Sequence, residues 1–320
     1  MKTIIYEDRT QCQSIWEKIW PARGIFDLWQ VRSCFHDSYS RPLLFHTVEE
    51  NGKPLGFLPL CWNEESNNYL LFPGETWQGK SWLEQNQLIA KSPKVIRKLL
   101  DSVQGSLNMR YLTWNPLMDC LDQTRQDGIS YLFFPGNVNY SMDNYWNSFS
   151  GKSRKKLKSA LKQFQDREVS FRFNHVNDLE ALFRMNMEYF SEYSYFTDSR
   201  FHRSFERLAA FLWEKGMLRI TTVLIGKKVA AVDMGAIFKN NYTLLAGGTN
   251  PEFPGVAKLI NLHHLEWSCL KKFDSVDFLC GDFNWKKRFH LTPRPLYEIS
   301  LDKAMTRVNR DTYEKKLVYA

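Results

Sequence analysis

The chain of 320 residues holds no run near the ~20 consecutive apolar residues that a membrane-spanning helix needs. Its first residues, MKTIIYEDRTQCQS, turn charged after two isoleucines, so the apolar core of a secretory signal is missing as well. Together these absences predict a cytoplasmic protein without a membrane span. Cysteine is sparse and scattered: the six stand at 12, 34, 61, 120, 269 and 280, with no C-x-x-C pair. That spacing argues against a metal site and, in a reducing compartment, predicts free thiols, several of them buried as small hydrophobes. No segment repeats another and none is of low complexity, which sets aside solenoid and disordered classes.

What the chain does have is aromatic residues, 15% of the total with 11 tryptophans. Its length suits two domains of roughly 150 residues and lets about 75% of the unfolded surface be buried. The formal charge of +8 favours anionic partners. Nucleic acid is one class; a phosphate-bearing cofactor such as coenzyme A is another.

Periodicity predicts a mixture of strands and helices throughout. Apolar segments around Asn51-Gly52, within 42–62, predict a hairpin, since that dipeptide suits a two-residue turn. A helix is expected over about 144–164, with Leu157, Ala160, Leu161 and Phe164 on one face and Arg154, Lys155, Lys156, Lys158 and Lys162 on the other. Strand 169–175 and two helices follow, then a meander of strands over 217–225, 228–238 and 242–248. Pro254-Gly255 opens a long helix with Val256, Leu259, Ile260, Trp267 and Leu270 expected inside. Strand 275–279 leads into DFLCGDFNWKKRF, where charges crowd against aromatics as an apolar strand stops. The fold class expected is α/β (α+β): mixed, mostly antiparallel sheets flanked by helices, in two units divided at 143/144.

Three segments in order carry a family resemblance. SGKSRKKLKSALKQFQDREVSFRF at 150–173 resembles the basic helix before the C-terminal unit of CelD-like GNAT (GCN5-related N-acetyltransferase) proteins. IGKKVAAVDMGAIFKNNYTLLAGGTNPEFPGVAKLI at 225–260 resembles their meander and Gly-opened helix. SVDFLCGDFNWKKRF resembles their closing signature, with Trp285 where the family commonly has Tyr. The relatives of that group are the Fem-type peptidoglycan aminoacyltransferases, whose long coiled-coil insertion is missing here, because 165–175 passes straight from helix to strand. The resemblance covers about 145–300 and implies tandem GNAT-like domains, 1–143 a degenerate N-terminal one and 144–320 the acyltransferase domain.

Acyl transfer from a thioester needs a fixed donor, an aligned and deprotonated acceptor and a stabilised oxyanion. A helix N-terminus offers free N–H groups to a pyrophosphate, which makes Gly255, Val256, Ala257 and Lys258 the expected donor site for acyl-CoA. Asp282 and Lys286 are four apart, a spacing that on a helix puts them on one face, either as an exposed ion pair or as base and anion holder. Asp233, in mid-strand, either lines a cavity or faces solvent. His263 and the adjacent His264 are candidate bases or satisfied structural histidines. Arg154 occupies the position of a family arginine near substrate. Glu75 to Trp82, with Trp77 inside it, is a polar, tryptophan-flanked loop that suits either an acceptor wall or simple packing; Trp285 joins the expected acceptor contacts.

The expectation is therefore an acyltransferase moving an acyl group from acyl-CoA to an amine or hydroxyl of a polar metabolite, sugar or peptide, without a metal. Two other classes stay open: an aminoacyl-tRNA-dependent transferase, favoured by the charge and the basic helix, and a non-catalytic binding module.

Overall fold

The computed structural model describes residues 1–75, 82–164, 166–281 and 283–302. The chain forms two compact units, residues 1–128 with 295–320 and residues 129–294. The sequence placed the division at 143/144; in the structure the chain passes between units in the middle of one strand and returns within its last strand.

The first unit runs β1 (Lys2–Tyr6), α1 (Arg9–Ile19), α2 (Trp29–Tyr39), β2 (Leu43–Glu50), β3 (Lys53–Asn63), β4 (Asn68–Leu71), β5 (Ile89–Ala90), α3 (Pro93–Asp101), β6 (Leu107–Thr113) and the start of β7 (Thr124–Phe133). Its sheet has the order β1-β2-β3-β4-β6 and then β13 (Thr292–Leu301), with β5 beside β3; β4 and β6 are parallel and the other pairs antiparallel. The expected hairpin is β2–β3. Asn51 and Gly52 both take positive φ, 51° and 73°, which a tight two-residue turn needs. Trp16, Trp20, Trp29, Phe45, Phe57 and Phe72 form one buried cluster, with Trp16 stacked on Trp20 at 4.4 Å and Trp29 on Phe72 at 4.7 Å. Three of the 11 tryptophans are spent here, in a core.

The second unit continues from β7 into α4 (Met142–Asn147), α5 (Gly151–Lys162), β8 (Val169–Phe173), α6 (Asp178–Phe190), α7 (Ser199–Glu214), β9 (Leu218–Ile225), β10 (Lys228–Phe238), β11 (Asn241–Thr249), α8 (Val256–Lys271), β12 (Ser275–Cys280) and α9 (Asn284–Arg288). Its sheet order is β7-β12-β11-β10-β9-β8, antiparallel except for the parallel pair β11–β12. The single helix expected over 144–164 is two. α4 stops at Asn147, and Ser150 starts α5 by accepting the Ser153 N–H at 3.2 Å, a side-chain cap that the periodicity had masked.

Helices cover both faces of this sheet. A Cβ on Gly248 would stand 2.6 Å from the Leu182 carbonyl of α6, whereas one on Gly247 would stand 2.2 Å from Oδ1 of Asp233, which bonds to α8. Successive residues point to opposite faces, so α6 and α8 lie on opposite sides, and each glycine permits a close approach. On α8 the buried residues are Val256, Ile260, Leu262, His264, Leu265, Ser268 and Cys269. Leu270, expected inside, is 77% exposed, because it lies a further ~100° of helical rotation beyond Cys269.

Candidate active site

The parallel strands β11 and β12 pair only over Asn241–Thr243 and Ser275–Asp277. Beyond that point both strands are bulged. Against β10, Met234 faces Ala246 and Gly235 faces Leu244, so Leu245 is an extra residue in β11. Against β7, Asp277 faces Leu132 and Cys280 faces Ser130, so two residues of β12 oppose one, and Leu279 takes φ 57°. Among the described residues, the edge of β11 from Leu244 to Thr249 has no strand on its β12 side. Its run of backbone groups leads directly toward the loop that opens α8.

DFLCGDFNWKKRF builds this bend. Oδ1 of Asp277 accepts the Leu279 N–H at 2.8 Å and the Ser130 hydroxyl at 3.1 Å, and Oδ2 accepts Nη2 of Arg294 at 2.8 Å. From the other side Nζ of Lys286, 2% exposed, donates to the carbonyls of Phe278, Leu279 and Cys280 at 2.9, 2.8 and 2.8 Å. A buried ammonium requires such partners, and three carbonyls match its three protons. The expectation that Lys286 holds an anionic group is corrected accordingly: its charge is spent on the strand end. Trp285 packs edge-on against Phe278 at 5.8 Å and Phe289 at 5.7 Å, pinning α9 to the core. α9 begins at Asn284, with Phe283 as its N-cap. Asp282 and Trp77 lie outside the described residues.

A buried polar chain lies on the α8 side of the sheet. Asp233, on β10, is 9% exposed, and its Oδ2 stands 2.9 Å from Nε2 of His264, which is wholly buried. Nδ1 of His264 stands 3.4 Å from the Tyr242 hydroxyl. The carboxylate can only accept, so Nε2 carries the proton and Nδ1 accepts from the tyrosine. Burial, and then the charge of Asp233, push the Tyr242 hydroxyl far above its ordinary pKa, so it stays a donor. Oδ1 of Asp233 projects over Gly247, which leaves it room. Asp233 is thus held in one orientation through a relay that ends in the core, and it is the accessible end of that relay.

His263 does not take part. Its ring stacks on Phe171 at 4.3 Å and lies 5.4 Å from Phe173, and its Nε2 is buried without a hydrogen-bond partner. Burial, then the neighbouring His264 and Arg219, lower its pKa to about 4. The histidine that meets Asp233 is His264, in phase with Ile260 and Val256, one and two helical turns earlier.

At the start of α8, Gly255 takes φ 88° as N-cap. The Val256 N–H donates to Phe253 O at 3.1 Å and the Lys258 N–H to Gly255 O at 2.9 Å. Nε2 of Gln163, just past α5, donates to Pro254 O at 3.0 Å. A Cβ on Gly255 would stand 3.8 Å from Nζ of Lys258, so a cation sits beside the positive end of the helix dipole, an arrangement that an anion would relieve. Ala257 is exposed in the same turn. Arg154 donates to Oδ1 of Asn147 at 3.2 Å from the surface of α5, a helix with no buried residue. No group of three or more His, Cys, Asp or Glu that could hold a metal occurs among the described residues, nor does a helix long and apolar enough to cross a membrane.

Residues 151–287 match the family model for the GNAT acetyltransferase domain. No match is found among curated proteins. Solved structures share the fold over nearly the whole chain at low identity. FemX is 10% identical with a TM-score of 0.59, over 98% of this chain and 99% of its own. L-PGS from Bacillus licheniformis is 10% identical with a TM-score of 0.56, over 95% of each chain. A tandem GNAT protein from the clavulanic acid biosynthesis pathway is 11% identical with a TM-score of 0.53, over 95% of this chain and 100% of its own.

Proposed function

We propose that this chain is an acyltransferase of the Fem-like GNAT group and that its second unit moves an acyl group from acyl-CoA to an amine or hydroxyl of a polar metabolite, sugar or peptide in the cytoplasm. The observation that carries the reading is the open edge of β11. Six residues of β11, about 20 Å of strand, have no strand beside them there. Apart from the Gly247 carbonyl, which accepts Nδ2 of Asn186 at 2.8 Å, the edge offers its outward N–H and C=O groups. The arm of coenzyme A has amides to pair with such an edge, and the edge ends toward Gly255. There the turn of Val256 and Ala257, with Lys258, meets the pyrophosphate.

In the transfer the acceptor nitrogen or oxygen bonds to the thioester carbon. The acceptor's proton passes to Asp233, the carbon–sulfur bond breaks, and coenzyme A leaves as the thiol after taking up a proton. His264 and Tyr242 hold Asp233 in place, while Asp277 and Lys286 keep β12 turned away from the donor. Arg154 and Trp285 face the choice of acceptor rather than the bond-making step; Asp282 and Trp77 complete the proposed set.

A second reading rests on one feature. The Val256 and Lys258 N–H groups at the start of α8 already have protein acceptors, whereas α5 presents Lys152, Arg154, Lys155, Lys156, Lys158 and Lys162 on a solvated helix. Such a helix fits the backbone of an aminoacyl-tRNA, and then the donor would be a charged tRNA.

Calorimetric titration with acetyl-CoA and with charged tRNA, at low and high salt, separates the two. The proposal expects coenzyme A binding that Lys258→Ala weakens about tenfold, and transfer that Asp233→Asn lowers at least 100-fold without loss of binding. Absence of any acyl-CoA binding, with tRNA affinity falling steeply as salt rises, would transfer the case to the second reading.

A further inference from the structure

On the α8 side of the second unit's sheet stands a cation without an acid. Arg219 of β9 pairs with Gly235 of β10, and Thr221 pairs with Asp233, so Arg219 shares the face of Asp233, the one that α8 covers. Phe173 of β8 pairs with Thr221 and lies on that face too. Trp267 approaches from α8, one turn beyond His263. The guanidinium carbon of Arg219 lies 4.0 Å from the centre of the Phe173 ring and 4.3 Å from that of Trp267.

These ring contacts hold the guanidinium in place and take it partly out of water. They give it no hydrogen bond. Nε is buried without a partner, and among the described residues no carboxylate or carbonyl accepts from Arg219. Burial lowers its pKa, and the group that opposes this is the Tyr242 hydroxyl, not an acid. Three other half-buried arginines show the contrast: Arg110 is paired with Asp127, Arg172 with Asp178 and Arg294 with Asp277.

A planar oxyanion is what the arrangement lacks. A guanidinium edge presents two parallel N–H groups at the spacing of a carboxylate's oxygens. The charge to be matched is one. His263, the ionisable neighbour on α8, has its pKa lowered to about 4 and is neutral, which favours a monoanion over a phosphate carrying close to two charges. Phe173, 43% exposed, leaves apolar surface beside the cation for the body of a ligand. We propose that Arg219 anchors a binding site for a small monocarboxylate with an aromatic body, its carboxylate on the guanidinium and its ring against Phe173 and Trp267. The ring of Tyr242 lies over Gly235, where a Cβ would stand 2.4 Å from it, and so separates Arg219 from the open edge of β11. The site is therefore distinct from the donor edge and does not rest on the acyl-transfer reading.

The test uses the full chain labelled with 5-fluorotryptophan, the Trp267 ¹⁹F resonance being assigned with Trp267→Phe. Sodium benzoate and sodium phenylacetate are titrated at constant ionic strength, with benzamide and inorganic phosphate as controls. The expected result is a saturable shift of the Trp267 resonance by at least one of the carboxylates, with an affinity about tenfold or more above that of either control. Arg219→Gln and Arg219→Lys should each lower that affinity about tenfold or more, the lysine because it keeps the charge and loses the fork. The proposal is overturned if neither carboxylate shifts the resonance saturably, if benzamide or phosphate binds as tightly, or if both variants bind as tightly as the parent. The comparison of ligands is made on the unsubstituted protein, so an unstable variant does not decide the outcome.

Discussion

Lys286 shows how a side chain that reads as chemistry becomes architecture once its partners are known. Lys286→Met would leave three buried carbonyls bare at the turn of β12 and should lower stability by about 2–4 kcal/mol in urea unfolding. A loss below about 1 kcal/mol with activity abolished would put Lys286 back among the reacting groups. The sequence marked the right stretch, since cations beside Trp285 and Phe289 at a strand end had no ordinary explanation. It did not reveal that the ammonium turns inward, because that depends on Leu279 adopting φ 57° and presenting its carbonyl. Asp277, inside the same quoted motif, was passed over as a strand residue although its carboxylate holds the bend. Asp233 was legible by alternation, but its partner was not: His263 and His264 are adjacent, and only the phase with Val256 and Ile260 separates them.

At the scale of elements, the site depends on two strands that separate, and separation is not written in either strand alone. The meander, the paired helices and the Gly255-opened helix were all legible, because turns and periodicity are local. The three-residue pairing of β11 with β12 was not, since it joins segments across the whole of α8. Gly247 tests this level. A methyl group there would fall 2.2 Å from Oδ1 of Asp233 and drive the carboxylate off its place. Gly247→Ala should reduce transfer at least tenfold while leaving coenzyme A binding within about twofold, measured by steady-state kinetics beside calorimetry. Equal loss of binding and turnover would mean that the edge of β11 itself had moved.

For the whole molecule, pH exposes two opposed sets of buried groups. Burial raises Glu75 from 4.5 to about 7, so the folded state holds its proton longer than the unfolded chain, and stability from this group falls as pH rises from about 4.5 to about 7. His36, His46 and His263 are lowered by burial to about 4, so the unfolded chain takes up protons first, and stability falls as pH drops from about 6.5 toward 4. Glu75→Gln removes the first slope only. Relative to the parent, its stability at pH 8 should exceed that at pH 5 by on the order of 3 kcal/mol, read from urea midpoints. A parallel offset at both pH values would show that Glu75 is not buried as described. The likeness of the second unit to a GNAT domain was legible over 145–300, where three motifs kept their order. The limits of the units were not, because they are set by pairings between distant segments. The return of β13 to β6 also sets a timetable. On the ribosome, the first unit must wait for residues 129–294 to be made before its last strand exists, roughly 10–30 s at ~5–20 residues per second. During that interval β6 is a bare edge, so nascent chains should depend on chaperones for the first unit more than for the second.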